Sequence, residues 1–285
     1  MSDPGTTTTA SSASTDPSGA WGLAGPATAE EAQFAGEATS LLAHRDLWLL
    51  VSVGFVDPYH RDRFAMLTDA AFRQRVIEAA AVVADEHPNV EIGPGERSPH
   101  ELSPGALFAL LDNEAHRIQA TYRQVFGLTA ISPTCPPCET EWEPNTDIFY
   151  RCQRLADIAG FYHAFGLELS PSCGERLDHI SVEAEFLYVL LAKEAAALAD
   201  GDHEAVDICR DARRKFFQEH VGWWVPAFAR SVERVAPPGY YRQLAQFTAA
   251  LSAAERLSLT LPPFTVPMIP RPSLNEAPVA CEECG

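Results

Sequence analysis

Two pairs of cysteines in this sequence have the spacing of metal ligands. The first pair, Cys135 and Cys138, lies in CPPCETEW, and the second pair, Cys281 and Cys284, lies in CEEC near the C-terminus. Each pair can place both thiolates on one metal ion, and two such pairs complete a tetrahedral zinc site. The sequence therefore predicts a structural zinc site that fastens the C-terminal tail to the CPPC loop. A reversible disulfide and uncoordinated thiols are the alternatives.

Other uses of the cysteines fit the sequence less well. CPPCE lacks the histidine that c-type haem attachment requires, and no predicted strand precedes either pair as it would in a thioredoxin-like unit. Cys152, Cys173 and Cys209 have no partner at ligand spacing. We therefore expect these three cysteines to be buried small apolar residues.

A second set of candidate residues lies at the start of the predicted helix LDHISVEAEFLYVLLAKE. Asp178 is a favourable N-cap residue, and its carboxylate suits the positive end of the helix dipole. His179 and Glu183 are four residues apart and share a helix face, so an imidazole–carboxylate pair can form there. The alternative interpretation is a capped helix with an ordinary ion pair.

A third candidate, His220, lies in the aromatic segment KFFQEHVGWWVPAF. Its helical spacing from the aromatic residues favours a hydrogen-bonded core histidine over a catalytic base. The preceding Arg213 and Arg214 are predicted to lie on a solvated helix face. The chain has no Gly-rich phosphate loop, no HExxH and no GxSxG motif, so the sequence favours a binding protein over an enzyme.

The net charge of the chain limits the classes of partner that it is expected to bind. The 285 residues carry a formal net charge of −18 at pH 7. Nucleic acid is not expected to bind, because phosphate contacts need clustered Lys and Arg. The surplus acid either attracts a basic peptide or serves solubility. No apolar run is long enough to cross a membrane and the N-terminus lacks signal-peptide features, so we expect a soluble cytoplasmic protein.

Helical periodicity dominates residues 30–259, and no alternating strand pattern is present. This pattern predicts a single all-α domain, a helical bundle of about seven or more helices. Pro226 is expected to kink the sixth predicted helix. Residues 1–29 are low-complexity and are predicted to be disordered, and residues 260–285 are predicted to form an extended Pro-rich tail.

Four segments, taken in order, resemble the TorD/DmsD/NarJ family of cytoplasmic chaperones for molybdenum enzymes. They are YRQVFGLTAISPTCPPCETEW, LDHISVEAEFLYVLLAKE, KFFQEHVGWWVPAFA and GYYRQLAQFTAALSAAE. As an order of helices the resemblance covers roughly residues 41–255. It implies a TorD-like helical fold. It also implies a chaperone that holds the cofactor-free catalytic subunit of a DMSO-reductase-family molybdenum enzyme, and its twin-arginine signal peptide, before export.

The resemblance also implies a client-binding site. The family's Asp-His pair, which is implicated in binding the signal peptide, falls on Asp178 and His179. Carboxylates of this region would bind arginine in bidentate pairs, and an apolar groove would accept the hydrophobic part of the signal. The residues assigned to this site are Glu175, Asp178, His179, Glu183, His220, Trp223 and Trp224.

The sequence departs from the family pattern at three of the matched positions. Arg176 stands where the family usually has proline, and Cys138 and Thr140 replace its usual Tyr and Ser. The acidic-apolar continuation of the family falls on Glu183, Glu185 and Phe186 in this sequence.

Two other functions remain open at the level of sequence. One is a zinc-stabilised helical adaptor unrelated to molybdenum enzymes, and the other is a metallohydrolase that uses His179, Glu183 and His220. The identity of the client, the choice between monomer and homodimer, and nucleotide binding are also left open.

Overall fold

The structure is a computed structural model that describes residues 29–59, 61–87, 91–127, 134–144, 147–170, 173–264 and 270. The chain divides into two compact units, Met1–Gly36 and Glu37–Gly285. In the first unit, the described residues are helical. The predicted disordered N-terminal tail, apart from its last residue, and most of the predicted C-terminal tail lie outside the described residues. Cys281 and Cys284 are among the residues not described.

The described part of the chain is all-α, as predicted. Its α-helices are α1 (Ala29–Phe55), α2 (Arg61–Ala65), α3 (Ala70–Glu86), α4 (Pro104–Glu114), α5 (Ile118–Phe126), α6 (Ile148–Ala164), α7 (Ile180–Asp200), α8 (His203–Phe216), α9 (Val225–Val235) and α10 (Tyr240–Ser258). Short 3-10 turns lie at Met66–Thr68, Pro99–Glu101 and Glu139–Glu141. None of the described helices is long and apolar enough to cross a membrane.

Local signals in the sequence explain where several helices begin. Asp69 caps α3, Asp147 caps α6 and Asp202 caps α8, each by accepting a hydrogen bond from a backbone N–H in the first turn. Such caps satisfy N–H groups that have no partner inside the helix. At the other end of α7, Gly201 adopts a left-handed conformation with φ of 70°, which costs glycine nothing because it has no Cβ.

Three stretches with a continuous helical pattern in the sequence are divided in the structure. A 3-10 turn separates α2 from α3, and residues 115–117 separate α4 from α5. The third division follows α8, where Phe217–Val221 form a turn of π-helix before α9 begins at Val225. Pro226 therefore lies in the first turn of α9. Backbone N–H groups in the first turn have no partner inside the helix, so the missing N–H of proline costs no helical hydrogen bond. In place of the kink expected at Pro226, the helix is interrupted just before the proline.

Aromatic rings fill the centre of the bundle. Phe228 of α9 lies edge-to-face with Phe55 of α1, at a centroid distance of 5.3 Å, and Phe126 of α5 lies 6.0 Å from it. On another side, Trp142 approaches the same Phe228 ring at 6.5 Å, although Trp142 belongs to the connection between α5 and α6. Burial of large rings is a main source of cohesion in such a core. The CPPCETEW connection is therefore attached to the core by its own indole.

A buried ionic network connects four helices away from that connection. Arg213 of α8 is buried, and it lies 3.0 Å from a carboxylate oxygen of Glu194 in α7 and 2.8 Å from one of Glu255 in α10. Glu255 also accepts hydrogen bonds from His44, at 2.7 Å, and from Trp48, at 3.1 Å, both in α1. The prediction of a solvated face is wrong for Arg213, because two carboxylates from neighbouring helices neutralise it inside the bundle.

Candidate functional site

The CPPCETEW connection is held against the start of α7 by backbone hydrogen bonds. Cys138 forms an isolated antiparallel bridge with His179. The N–H of Glu139 donates to the carbonyl of Asp178 at 2.9 Å, and the N–H of Ile180 donates to the carbonyl of Pro137 at 2.9 Å. These contacts satisfy backbone groups that would otherwise be buried without partners. We call residues 134–144 the docked loop.

Asp178 is the first polar anchor of the docked loop. Its side chain is fully buried and receives two hydrogen bonds from the Arg176 guanidinium, at 2.9 and 2.7 Å. Thr140 of the docked loop donates to the same carboxylate from its backbone N–H, at 3.1 Å, and from its hydroxyl, at 2.8 Å. Two of the positions that depart from the family pattern are thus the direct partners of the Asp178 carboxylate.

The N-cap of α7 is His179 and not Asp178, which corrects the sequence prediction. Nδ1 of His179 accepts a hydrogen bond from the N–H of Ser181 at 3.2 Å, while Nε2 lies 3.4 Å from a carboxylate oxygen of Glu175. Burial lowers the pKa of His179, although the nearby carboxylates oppose this effect. Asp178 is unavailable for capping because its side chain turns to the docked loop. The imidazole faces Glu175 instead of the predicted Glu183.

Glu139 is the second polar anchor, and the sequence interpretation assigned it no role. Its carboxylate is fully buried and lies 3.1 Å from Nδ1 of His220 and 3.0 Å from the indole N–H of Trp223. Burial raises the pKa of Glu139, and the contact with His220 partly offsets this rise. His220 is a fully buried, hydrogen-bonded core histidine, as predicted. Glu139 follows CPPC directly and His220 lies in an aromatic segment, but no spacing rule in the sequence connects two residues 81 positions apart.

Glu183 is a third buried carboxyl group, close to the second anchor. Its Oε2 accepts a hydrogen bond from the indole N–H of Trp224 at 3.1 Å. Burial, together with the negative charges of Glu139 and Asp178, raises the pKa of Glu183 well above its ordinary value. A neutral carboxyl group is therefore favoured at position 183, in a place that solvent does not reach.

The predicted client-binding residues thus lie together, but most of them face inward. Asp178, His179, Glu183, His220 and Trp224 are buried in the described conformation. The other two predicted residues, at positions 175 and 223, are half-buried. Direct contact between a peptide and the five buried side chains would require the docked loop to move.

An open cleft lies beside these buried residues. It has a volume of about 210 Å³ and lies between α2, the segment after α6, and α7. Its apolar wall includes Tyr162, Val182 and Phe186, and its charged side chains are Arg63, Glu168 and Glu185.

Glu185 is the accessible carboxylate of α7 in this cleft. Its side chain is 46% exposed, and one carboxylate oxygen accepts a hydrogen bond from Arg63 at 2.6 Å. Residues 183 and 185 lie on different faces of the helix, so one carboxyl group enters the core and the other reaches the cleft. The cleft therefore already contains one guanidinium–carboxylate pair.

The cysteines of the docked loop have the environment of apolar side chains. Cys135 and Cys138 are both buried, and burial raises the pKa of Cys135 to about 12 and that of Cys138 well above its ordinary value. Metal binding would require their deprotonation. The other half of the predicted zinc site lies outside the described residues, so the zinc site stays a prediction.

The remaining described cysteines differ from one another in exposure. Cys209 is buried, as predicted, whereas Cys173 is half-buried and Cys152 is exposed. The prediction is therefore wrong for Cys152, which lies on the outer side of α6. Helical periodicity alone did not separate a cysteine on the core face from one on the solvent face.

The residues proposed for a metallohydrolase do not form a common site. Among the described residues, one group of three His, Cys, Asp or Glu side chains places its ligand atoms within 4.8 Å of one another, and it consists of Asp157, Glu219 and His220. His179 and Glu183 are not members of this group. The predicted trio is therefore not brought together in this conformation.

Comparison with known proteins shows what this part of the chain is similar to. Residues 102–230 match the family model described as nitrate reductase delta subunit. This part of the chain, less than half of its length, is therefore similar to the nitrate reductase delta subunit family. The family region includes the docked loop, α6, α7, α8 and the π-helical turn, and so contains both polar anchors. The resemblance to the TorD/DmsD/NarJ chaperones is confirmed.

Three curated proteins are also similar to parts of this chain. The chain is 34% identical over 105 residues to the selenate reductase assembly chaperone protein of Thauera selenatis, covering 37% of this chain and 52% of the relative. It is 34% identical over 79 residues to the chlorate reductase assembly chaperone protein of Ideonella dechloratans, covering 28% of this chain and 40% of the relative. The chain is 28% identical over 102 residues to the perchlorate reductase assembly chaperone protein of Dechloromonas aromatica, covering 36% of this chain and 42% of the relative. The aligned regions span about half the length of these relatives or less.

Proposed function

We propose that this protein is a chaperone that binds the catalytic subunit of a molybdenum-containing reductase during its assembly. The observation that carries the proposal is the match of residues 102–230 to the delta subunit family, together with three relatives that are all named as reductase assembly chaperones. Its action is binding and not catalysis. It takes place in the cytoplasm, before the client is exported.

The cleft beside α7 is the proposed binding site for the twin-arginine signal peptide of the client. An arginine of the peptide would replace Arg63 as the partner of Glu185, because a planar guanidinium binds a carboxylate through two parallel hydrogen bonds. Glu168 provides a second carboxylate at the same cleft. The apolar wall formed by Val182 and Phe186 would bind the hydrophobic part of the signal. Chemical complementarity to a basic and apolar peptide supports this assignment.

The buried residues of the predicted site have a positioning role in this proposal. Asp178 and Glu139 attach the docked loop to α7 and to the π-helical turn, and His179 caps α7, the helix that carries Glu185. Glu175 and Trp223 are half-buried and would contact the client beyond its signal peptide. The Glu185 carboxylate needs rigid support, because ordering a mobile side chain when the ligand binds reduces the free energy of binding.

The four-cysteine zinc site is a separate proposal about stability. Zinc bound by Cys135 and Cys138 together with Cys281 and Cys284 would fasten the tail to the docked loop. Elemental analysis of the purified chain tests it directly. The zinc content should fall by one ion per chain when Cys281 and Cys284 are both replaced by serine.

The test of the chaperone proposal is co-purification from the native host. A tagged full-length chain should capture the precursor of a molybdenum-containing oxidoreductase, which mass spectrometry identifies. Deletion of the gene should abolish the activity of that reductase. Capture of no such precursor, together with full reductase activity in the deletion strain, would refute the chaperone function.

Calorimetry with a synthetic twin-arginine peptide tests the cleft separately. Glu185→Gln should weaken binding by about tenfold or more, since hydrogen bonds to charged groups are worth roughly 1.5–3 kcal/mol. Arg63→Met should strengthen binding, because it removes the guanidinium that competes for Glu185. Asp200→Asn, at an exposed carboxylate on the same helix, is the matched control and should leave affinity unchanged. Equal affinity in Glu185→Gln and in the control would exclude the cleft as the peptide site.

A further inference from the structure

Three side chains with metal-binding atoms meet where α6 passes the π-helical turn. Asp157 belongs to α6, and Glu219 and His220 belong to the turn. Their ligand atoms all lie within 4.8 Å of one another, and an oxygen of Asp157 lies 3.3 Å from Nε2 of His220. The two carboxylates are exposed, whereas the imidazole is fully buried. π-helical turns within α-helices are frequent at functional sites.

The environment of His220 points to a ligand at its Nε2 atom. Nδ1 lies 3.1 Å from the buried carboxyl group of Glu139, which in its ionised form only accepts, so this contact favours the tautomer with the proton on Nδ1. Nε2 is buried and has no hydrogen-bond partner among the described residues. In the neutral imidazole, the lone pair of Nε2 therefore faces the Asp157 carboxylate. Either a proton on Nε2 or a metal ion held by both atoms satisfies a contact of this length, and the exposed Glu219 carboxylate beside them supplies a third ligand for a metal.

A carboxylate that fixes the outer nitrogen of a histidine is a common feature of metal sites. The carboxylate selects the tautomer, orients the ring and makes the other nitrogen a better electron donor. Glu139 occupies this position, and it is itself held by the indole N–H of Trp223 at 3.0 Å. Glu139 therefore holds one nitrogen of the His220 ring, and the other nitrogen is directed toward Asp157 at the proposed ligand position.

We propose that Asp157, Glu219 and His220 bind one divalent transition metal ion of the zinc type. The ligands are Nε2 of His220 and one oxygen from each carboxylate, and Glu139 is a positioning residue. Two carboxylates and a neutral imidazole balance the double charge of the ion. A mixed nitrogen and oxygen set suits zinc and its first-row neighbours better than magnesium or calcium, which prefer oxygen alone. Three protein ligands leave a position open for water or for a donor from a bound protein.

The neighbouring charges are compatible with this assignment. Arg154 is a cationic side chain beside the group that also interacts with Asp157, and its guanidinium lies 3.0 Å from Glu143 and 3.6 Å from Glu139. It also donates to the backbone carbonyl of Glu219 at 3.1 Å, which leaves the Glu219 carboxylate unengaged by that contact. Asp157 also lines an open cavity of about 560 Å³ between α6 and the docked loop, so an ion can enter from solvent.

This metal site is distinct from the predicted four-cysteine site, and the experiment must separate them. The full-length chain carrying Cys281→Ser and Cys284→Ser is the parent for all measurements, because it lacks the tail thiols. Zinc binding is measured by equilibrium dialysis, and cobalt binding is followed by absorption spectroscopy. Cobalt in the proposed site should show ligand-field bands without thiolate-to-cobalt charge transfer, because no thiol belongs to the ligand set.

The parent should bind one zinc ion per chain. Asp157→Asn and Glu219→Gln should each weaken zinc binding by at least about tenfold, while each variant keeps its helical circular dichroism because the substituted carboxylates are exposed. The matched control is Asp211→Asn, which removes an exposed carboxylate from α8 outside the ligand group. Its zinc affinity should equal that of the parent. Glu139→Gln should weaken binding by about 10- to 100-fold, as replacement of such orienting groups does elsewhere.

Three results would overturn the metal site. The first is that the parent binds neither zinc nor cobalt. The second is that Asp157→Asn and Glu219→Gln bind zinc as tightly as Asp211→Asn. The third is that bound cobalt shows thiolate charge transfer, since the ion would then be held by the cysteines of the docked loop.

Discussion

His44 should make the fold less stable as the pH rises above neutral. Its imidazole is buried in α1, with Nδ1 2.7 Å from Glu255 and Nε2 3.4 Å from Glu86. Burial disfavours the imidazolium, but the two carboxylates outweigh this effect and raise the pKa of His44 from 6.5 to about 9. The folded protein therefore binds this proton more tightly than the unfolded chain does.

The size and direction of the effect follow from that difference. A group whose pKa is higher in the folded state contributes its full stability below the unfolded pKa and loses it as the pH rises through the folded pKa. For His44 the loss begins near pH 6.5 and is complete just above pH 9. At about 1.4 kcal/mol per pH unit, the gap is worth about 3 kcal/mol. That amount is a large fraction of the roughly 5–15 kcal/mol that stabilises a typical domain.

The assay is urea unfolding followed by tryptophan fluorescence at several pH values between about 6 and 10. Between these limits the wild type should lose about 3 kcal/mol more stability than His44→Gln, which cannot titrate in this range. His100→Gln removes an exposed histidine and should follow the wild-type curve. If the free energies of unfolding of the wild type and His44→Gln change in parallel with pH, the argument from the buried ion pair is refuted.

Two further predictions concern buried groups. Arg213→Met should cost about 3–5 kcal/mol in urea unfolding, because it leaves two buried carboxylates without their shared cation, whereas Arg214→Met, at a half-buried position, should cost at most about 1 kcal/mol. Equal losses would contradict burial of the first arginine. In the native protein a thiol reagent should modify Cys152 rapidly and Cys135 and Cys138 only after unfolding, as peptide mapping by mass spectrometry would show. Rapid modification of all three would mean that the docked loop opens readily.

The helical class of the fold was predictable because its signals are local. Periodicity of apolar residues, Asp caps such as Asp69 and Asp202, and the glycine after α7 all act within a few residues of the backbone they affect. The divisions inside three helical stretches of the sequence were not predictable in the same way. The π-helical turn at Phe217–Val221 interrupts a continuous helical pattern, and there the side chains of Trp223 and His220 bond to the docked loop.

The candidate site was likewise predictable only where its signals are local. Residue types alone identified the acidic start of α7, the core histidine at position 220 and the family resemblance. They did not identify Glu139 as the partner of His220, because the two residues are 81 positions apart and no local rule joins them. They also placed Asp178 at the N-cap, where it fits locally, although Thr140 and Arg176 bind it more completely.

The sequence by itself determined the all-α class, the helix caps and the chemical types gathered around α7, since these depend on the nature and spacing of neighbouring residues. Only the tertiary structure decided which charged groups are buried and which face solvent. Arg213 lies inside because Glu194 and Glu255 arrive from other helices, and Glu185 faces the cleft while Glu183 enters the core. Burying a charge or a polar group is costly unless a partner meets it, and distant parts of the chain supply those partners.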